Sequence, residues 1–114
     1  MVFLHQRAKY ILLLCVLLAL SVTVCFWRLG TKPLENWDEG IHAEVSREMI
    51  HNGAWISLSY FDRLYTAKPP LKFWLTAPLF PIVGETEFAI RFWSAVAGVA
   101  TTLLLAWWVW EAEQ

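Results

Sequence analysis

Two long apolar stretches enclose a polar region in this chain. Residues 10–27 form a run of 18 residues without a formal charge, and residues 92–110 form a second run of 19. At about 1.5 Å per residue each run makes a helix of roughly 27–29 Å, close to the ~30 Å hydrocarbon core of a bilayer. Because backbone groups in lipid must bond internally, the runs predict transmembrane helices at 10–28 and 91–110.

Aromatic residues mark the ends of both runs, as they do at membrane interfaces. Tyr10 and Trp27 flank the first run, and Trp93 begins the second, which Trp107, Trp108 and Trp110 close. The alternatives are two buried helices of a soluble protein or a cleaved signal peptide. A chain this short would struggle to bury two such helices on all sides. The first run also exceeds the usual apolar core of a signal peptide and lacks a clear A-x-A-like site, so we interpret it as an uncleaved anchor.

Composition and charge support this class. The chain has 114 residues, is 58% hydrophobic and has a mean hydropathy of +0.46, above an average soluble domain. The net charge is −1 and no basic stripe is present, which argues against nucleic acid as a partner. Cys15 and Cys25 lie in one predicted helix, about 15 Å apart, too far for a disulfide with each other.

The region 29–90 is too rich in aromatic residues for a disordered tether. A short amphipathic helix is predicted near 37–52, with Asn36 as its cap, Glu39 in the capping-box position and Gly53 as its stop. Its apolar stripe recurs every four residues: Ile41, Val45 and Met49.

The remainder of this region predicts two further elements. Residues 54–61 alternate apolar and polar positions, which favours a short extended piece, with a turn at Asp62 and Arg63. A second helix is predicted near 70–83, too short to span a bilayer and interrupted by Pro78 and Pro81. It fits a juxtamembrane or re-entrant helix.

The polar residues with the clearest chemical potential are Asp38 and Glu39, in the first turn of the predicted helix. Carboxylates there can simply complement the helix N-terminus, or they can act as a general base near the membrane surface. His42 lies one turn after Asp38, and an Asp/His pair at this spacing is a weak signal for a metal.

Three cations accompany these acids. Lys68 precedes two prolines that stiffen its backbone, so it suits phosphate binding as a point charge. The alternative is a lysine that snorkels at the interface beside an apolar helix. Lys72 lies one turn later and shares that alternative, and Arg91 is interpreted as the boundary of the second membrane helix.

Together these motifs resemble the N-terminal region of the ArnT/PMT superfamily, glycosyltransferase families 39 and 83. The superfamily includes protein O-mannosyltransferases and aminoarabinose transferases that modify lipid A. The resemblance lies in three stretches: WDEGIHAEVSREMIHNGAWI at 37–56, YTAKPPLKFWL at 65–75 and GETEFAIRFWSAVAGV at 84–99.

The resemblance implies an all-α membrane protein, the N-terminal part of a GT-C fold with many helices in a bacterial inner membrane. Residues 29–90 would form an extracytoplasmic loop and residues 1–9 a cytoplasmic tail. The expected activity moves a sugar, such as mannose or aminoarabinose, from a polyprenyl-phosphate donor to a protein or lipid hydroxyl, with inversion. Carried over by position, Asp38 is the catalytic base, Glu39 the second acid and Lys68 the ligand of the donor phosphate.

Two departures from the family pattern qualify this interpretation. Ala67 stands where the aminoarabinose branch has a metal-binding acid, so the divalent metal possible in the family is doubtful here, and so is that donor. The chain also stops at 111–114, soon after the second helix, without the later helices that complete the donor pocket. The alternative function is therefore an inactive two-helix membrane fragment or a helix-association protein.

Overall fold

The computed structural model describes the backbone of residues 2–113 and the side chains of residues 7–113; its regular elements are helices and one short hairpin, joined by irregular segments. The elements, in chain order, are α1 (Val2–Phe26), α2 (Asp38–Asn52), β1 (Ser59–Tyr60), β2 (Arg63–Leu64), α3 (Leu71–Thr76), α4 (Phe80–Val83) and α5 (Glu87–Ala112). A 3₁₀ turn, Ala77–Leu79, joins α3 to α4. The prediction of a mainly helical chain is confirmed.

The chain divides into two compact units. The first, here called the helix pair, comprises residues 2–27 and 94–113 of the described chain. The second, here called the loop unit, comprises residues 28–93.

Two stretches of helix are long and apolar enough to cross a membrane, Arg7–Phe26 and Glu87–Ala112. In the helix pair, α1 runs antiparallel to α5. The rings of Tyr10 and Trp110 stack with centroids 4.0 Å apart, and a Cβ on Gly98 would lie 3.1 Å from Cys25 Sγ. Four hydroxyls in this unit donate to carbonyls of their own helix, those of Ser21, Thr23, Thr101 and Thr102; the Thr23 to Ala19 bond is 2.7 Å. Such internal bonding suits a lipid environment.

Helix α2 forms where its apolar stripe predicts it, but the prediction of its N-terminal cap is wrong. The helix begins at Asp38 with Trp37 in the cap position, and no described side chain caps it there. Glu39 Oε2 instead accepts a hydrogen bond of 3.0 Å from the backbone N–H of Glu35. At the other end Gly53 adopts the left-handed conformation with φ 64°, so the predicted stop is confirmed.

The hairpin turns one residue earlier than its sequence predicts. Phe61 and Asp62 both have positive φ, 50° and 58°, and Tyr60 pairs with Arg63 across them. Two consecutive positive φ values define the type I′ turn that matches the twist of a two-residue hairpin. Asp tolerates this conformation, whereas a bulky Phe adopts it at some cost.

The core of the loop unit lies where α2 packs against the segment from α3 to α4. One cluster centres on the fully buried Phe73 and a second on Phe80, and Ile50 of α2 packs against both. The first cluster contains Val45, Met49, Leu58, Phe73 and Ala77. This packing fixes the start of α2 against the start of α3, which is where the polar residues of interest lie.

Candidate functional site

The candidate site forms where Lys68 meets Asp38. Lys68 Nζ donates a hydrogen bond of 2.7 Å to Asp38 Oδ1, although the residues are 30 positions apart. Asp38 occupies the first turn of α2, and Lys68 precedes Pro69 and Pro70, which lead into α3. The structure therefore brings together the predicted base and the predicted phosphate ligand, since α2 and α3 share one core cluster.

Both side chains of this pair are partly accessible to solvent. The side chain of Asp38 is 65% exposed, while that of Lys68 is 33% exposed. The hydrogen bond from Lys68 and its positive charge lower the pKa of Asp38, so the carboxylate is ionised at neutral pH. The arrangement offers an open carboxylate oxygen beside a more enclosed ammonium group.

Glu39 is the neighbour of Asp38 in sequence, but it pairs with a different cation. Arg91 Nε donates to Glu39 Oε1 at 2.8 Å and a terminal nitrogen of Arg91 donates to Oε2 at 2.7 Å. These hydrogen bonds are the main reason that the pKa of Glu39 falls to about 2. Since both oxygens accept charge-assisted bonds, Glu39 is held as a carboxylate in a fixed orientation.

Arg91 also binds the chain that follows α1. Its two terminal nitrogens donate to the carbonyls of Leu29, Lys32 and Pro33 at 3.0, 2.8 and 3.0 Å. With the two bonds to Glu39, all five guanidinium N–H groups have acceptors. Gly30 permits the segment after α1 to approach α5 closely, because a Cβ at position 30 would lie 3.1 Å from the Cβ of Phe88.

Sequence reasoning missed this role of Arg91, which it interpreted as a membrane boundary. The sequence did contain one signal of this role, an arginine at the edge of an otherwise apolar helix. A guanidinium removed from water requires hydrogen-bond acceptors for all five of its N–H groups. The pattern gave no indication of which carbonyls would face it.

His42 lies beneath the pair formed by Asp38 and Lys68. It is buried one turn after Asp38, and its ring centroid lies 4.9 Å from that of Phe73. Its Nδ1 has no hydrogen-bond partner among the described residues. Burial first, then the charges of Lys72 and Lys68, lower the pKa of His42 to about 4, so the ring is neutral at pH 7.

Lys72 lies in the first turn of α3 with a half-buried side chain. Burial lowers its pKa first and the charge of Lys68 second, while Glu39 and Asp38 oppose the shift. The ion pairs formed by residues 2–113 do not include Lys72. Its ammonium group is thus near the other charges without a bonded acid of its own.

A metal site is not assembled by the residues considered above. Among the side chains that the structure describes, residues 7–113, no group of three His, Cys, Asp or Glu is placed to hold a metal ion. Asp38 and His42, the pair that spacing suggested, have no third ligand of this kind, and position 67 is alanine. Asp38, Lys68 and Lys72 contribute a carboxylate and two ammonium groups to this part of the loop unit.

Curated proteins resemble this chain over most of its length. It is 35% identical over 86 residues to a protein of Aeromonas salmonicida, and 35% identical over 99 residues to one of Pseudomonas savastanoi. A third, from Proteus mirabilis, is 34% identical over 114 residues. Each of the three is named an undecaprenyl phosphate-alpha-4-amino-4-deoxy-L-arabinose arabinosyl transferase.

The alignments cover 75%, 84% and 97% of this chain, but only 16%, 19% and 20% of those relatives. The chain thus spans about a sixth to a fifth of their length. No protein-family profile matches it. No solved structure matches it significantly either.

Proposed function

This chain belongs to the superfamily of membrane glycosyltransferases that contains the aminoarabinose transferases, and from that premise we propose that it forms the N-terminal part of their active site. The proposed reaction moves a sugar from a polyprenyl-phosphate donor to a hydroxyl group of a lipid or protein. The names of the relatives favour aminoarabinose as the sugar and undecaprenyl phosphate as its carrier.

In this reaction the acceptor oxygen attacks the anomeric carbon of the donor sugar. A new carbon–oxygen bond forms on one face while the bond to the phosphate oxygen breaks on the other, which inverts the configuration. The electron pair of the broken bond stays on the phosphate. Asp38 takes the hydroxyl proton as general base, and Lys68 stabilises the negative charge of the departing phosphate.

The observation that carries this proposal is the contact of 2.7 Å between Lys68 Nζ and Asp38 Oδ1. It supports the proposal because one site then offers both a proton acceptor and a phosphate ligand, and positioning can supply much of the rate. Without donor, Lys68 keeps the pKa of Asp38 low. When a phosphate engages Lys68, its charge offsets that effect, so Asp38 becomes a stronger base as the donor binds.

Glu39 has a supporting role in this proposal. Both of its oxygens are engaged by Arg91, and one also accepts the N–H of Glu35, so it is not free to take a proton. Through those bonds Glu39 fixes the first turn of α2 and therefore the position of Asp38. Asp38 is the acid of the pair with an oxygen open to an acceptor.

The decisive variant is Asp38→Asn, which keeps the size of the side chain and removes the base. We expect transfer to fall by about 10²–10⁴-fold, the usual contribution of a general base, while the protein still inserts in membranes. Transfer is measured with radiolabelled sugar on a polyprenyl-phosphate donor, in membranes that contain the protein.

The matched control is Asp62→Asn. Asp62 is exposed at the hairpin turn, where Asn is equally suited to a positive φ of 58°. This control should transfer sugar at the wild-type rate. Undiminished transfer by Asp38→Asn would refute the role of Asp38, and absence of transfer by the wild-type protein would favour the alternative of a membrane fragment without activity.

A further inference from the structure

We propose that Lys72 is a second cation of the phosphate site, and that it matches the extra negative charge that appears on the phosphate when the sugar leaves. This inference rests on the proposed function. It assigns a role to a residue outside the pair formed by Asp38 and Lys68. Lys68 then binds the phosphate of the donor, and Lys72 stabilises the phosphate as it leaves.

The position of Lys72 follows from the start of α3. It precedes Phe73, which is fully buried and whose ring contacts that of His42 on α2. The side chain of Lys72 is half-buried in the same region. Lys72 lies four residues after Lys68, whose Nζ bonds Asp38 Oδ1 at 2.7 Å. The charge of Lys68 is one cause of the lowered pKa of Lys72, which agrees with this placement.

The balance of charge in this cluster leaves Lys72 unmatched. Glu39 is neutralised by Arg91 and Asp38 is paired with Lys68, while His42 is neutral at pH 7. The ion pairs among residues 2–113 provide no acid for Lys72. A half-buried cation without a bonded acid is unfavourable unless something else compensates its charge. The cluster therefore retains one net positive charge, which suits an anionic ligand.

A snorkelling lysine is the simpler explanation for Lys72, and the binding test below distinguishes it from a phosphate ligand. A snorkelling side chain keeps its ammonium in water, away from other cations. Lys72 is instead half-buried beside a second lysine, and burial is the first cause of its lowered pKa. The charges of Lys68 and Lys72 repel each other, and the carboxylates of Glu39 and Asp38 oppose that effect on Lys72. An anion that contacts both ammonium groups would relieve the remaining repulsion.

The chemistry of the donor gives the second cation a specific task. A polyprenyl-phosphate sugar is a phosphodiester with one negative charge, and in the proposed site this charge contacts Lys68. When the bond from the anomeric carbon to the phosphate oxygen breaks, the electron pair remains on the phosphate, which becomes a monoester with two charges. An interaction that strengthens as this charge develops raises the rate more than it raises donor affinity.

The test compares the variants Lys72→Met and Lys68→Met in the complete protein, reconstituted in phosphatidylcholine vesicles. Binding is measured at pH 8 for two probes, a polyprenyl-phosphate sugar and a sugar-free polyprenyl phosphate. The second pKa of a phosphate monoester is about 6, so the sugar-free probe carries two charges at this pH. Lys32→Met is the matched control, because it removes the same charge from an exposed position of the loop unit.

We expect Lys72→Met to weaken binding of the sugar-free monoester by about tenfold, which corresponds to about 1.4 kcal/mol, and that of the sugar-bearing diester by less than threefold. In transfer assays kcat should fall by about tenfold with little change in KM, and Lys72→Arg should restore most of the loss. Lys68→Met should weaken the binding of both probes, and Lys32→Met should weaken the binding of neither. Thermal unfolding of each variant checks that the fold is retained.

Equal weakening of both probes by Lys72→Met, or no weakening, would overturn the role of Lys72 while leaving the proposed function intact. A wild-type protein that binds neither probe above the level of neutral polyprenol would overturn both proposals. Failure of Lys72→Arg to restore kcat in a folded protein would also count against a role based on charge.

Discussion

Asp38 and Glu39 are adjacent in sequence, yet each carboxylate has a different environment. Glu39 uses both oxygens on Arg91, whereas Asp38 gives one oxygen to Lys68 and remains 65% exposed. The carboxylate group is thereby held in a fixed orientation at Glu39 and is accessible to solvent at Asp38. At the scale of single residues, these partners distinguish a positioning acid from a candidate base.

This distinction predicts how the loop unit responds to loss of each charge. Replacing Glu39 by Gln leaves Arg91 with a neutral partner for two of its donors, and we expect the free energy of unfolding to fall by about 1.5–3 kcal/mol. The measurement is thermal unfolding of the purified protein in detergent, followed by near-ultraviolet circular dichroism of its tryptophans.

Glu44→Gln is the control for that experiment, because Glu44 pairs with Arg47 within α2 and on the surface. Such pairs contribute about 0.2–1 kcal/mol. Similar losses of stability in Glu39→Gln and Glu44→Gln would show that the bonds of Arg91 do not hold the loop unit together.

The positions of Asp38 and Lys68 as candidate site residues could be predicted, but the role of Arg91 could not. The candidates stand in motifs of the resembled family, so sequence alone identifies them. The bonds of Arg91 join carbonyls of residues 29–33 to a helix that begins at Glu87, and no local pattern encodes such a contact. The predicted Asn36 cap was wrong for a similar reason, since Glu39 binds the N–H of Glu35 instead.

At the scale of elements, the contact of α2 with α3 determines whether a site exists. Phe73 is fully buried in the cluster that contains Val45 and Met49 of α2, so its packing holds the start of α3 near Asp38. The periodic apolar positions predicted both helices because periodicity is local. The hairpin turn was predicted one residue late, since its positive φ values fall on Phe61 and Asp62 rather than on a Gly or Asn that would mark them.

Removal of the Phe73 ring should therefore disrupt the site as well as the core. We expect Phe73→Ala to cost about 3–5 kcal/mol of stability, the usual range for a fully buried aromatic residue. Leu71→Ala, two residues earlier on α3 and exposed, should change stability by about 0.5 kcal/mol or less. Chemical unfolding in detergent measures both, and a loss in Phe73→Ala as small as that in Leu71→Ala would contradict the assignment of this core.

At the scale of the whole molecule, the helix pair and the loop unit differ in the chemistry of their side chains. The helix pair exposes large apolar side chains along α1 and α5, which lipid can cover, while the loop unit contains the charged residues discussed above. Hydropathy predicted two long apolar helices, which the structure contains, because apolar length is a local property of the sequence. The orientation of these helices in a membrane could not be predicted in the same way, because equal numbers of lysines and arginines lie on either side of the first helix.

The proposed reaction requires the loop unit to lie outside the cytoplasm, as in the resembled family, and this can be tested by cysteine labelling. In a protein carrying Cys15→Ala and Cys25→Ala, a cysteine is introduced by Ser57→Cys in the loop unit or by Ala8→Cys near the N-terminus, both at exposed positions. We expect a membrane-impermeant maleimide to label the Ser57→Cys protein in spheroplasts. The Ala8→Cys protein should react only after the membrane is permeabilised.

The reverse pattern of labelling would place Asp38 and Lys68 in the cytosol and remove the basis of the proposed reaction. The two variants control for each other, because the introduced cysteines are expected on opposite sides of the membrane and only one of them should be labelled before permeabilisation. The unsubstituted background lacking Cys15 and Cys25 measures labelling of other residues. Protection of Ser57→Cys until permeabilisation, with early labelling of Ala8→Cys, is therefore the single result that the extracytoplasmic site cannot accommodate.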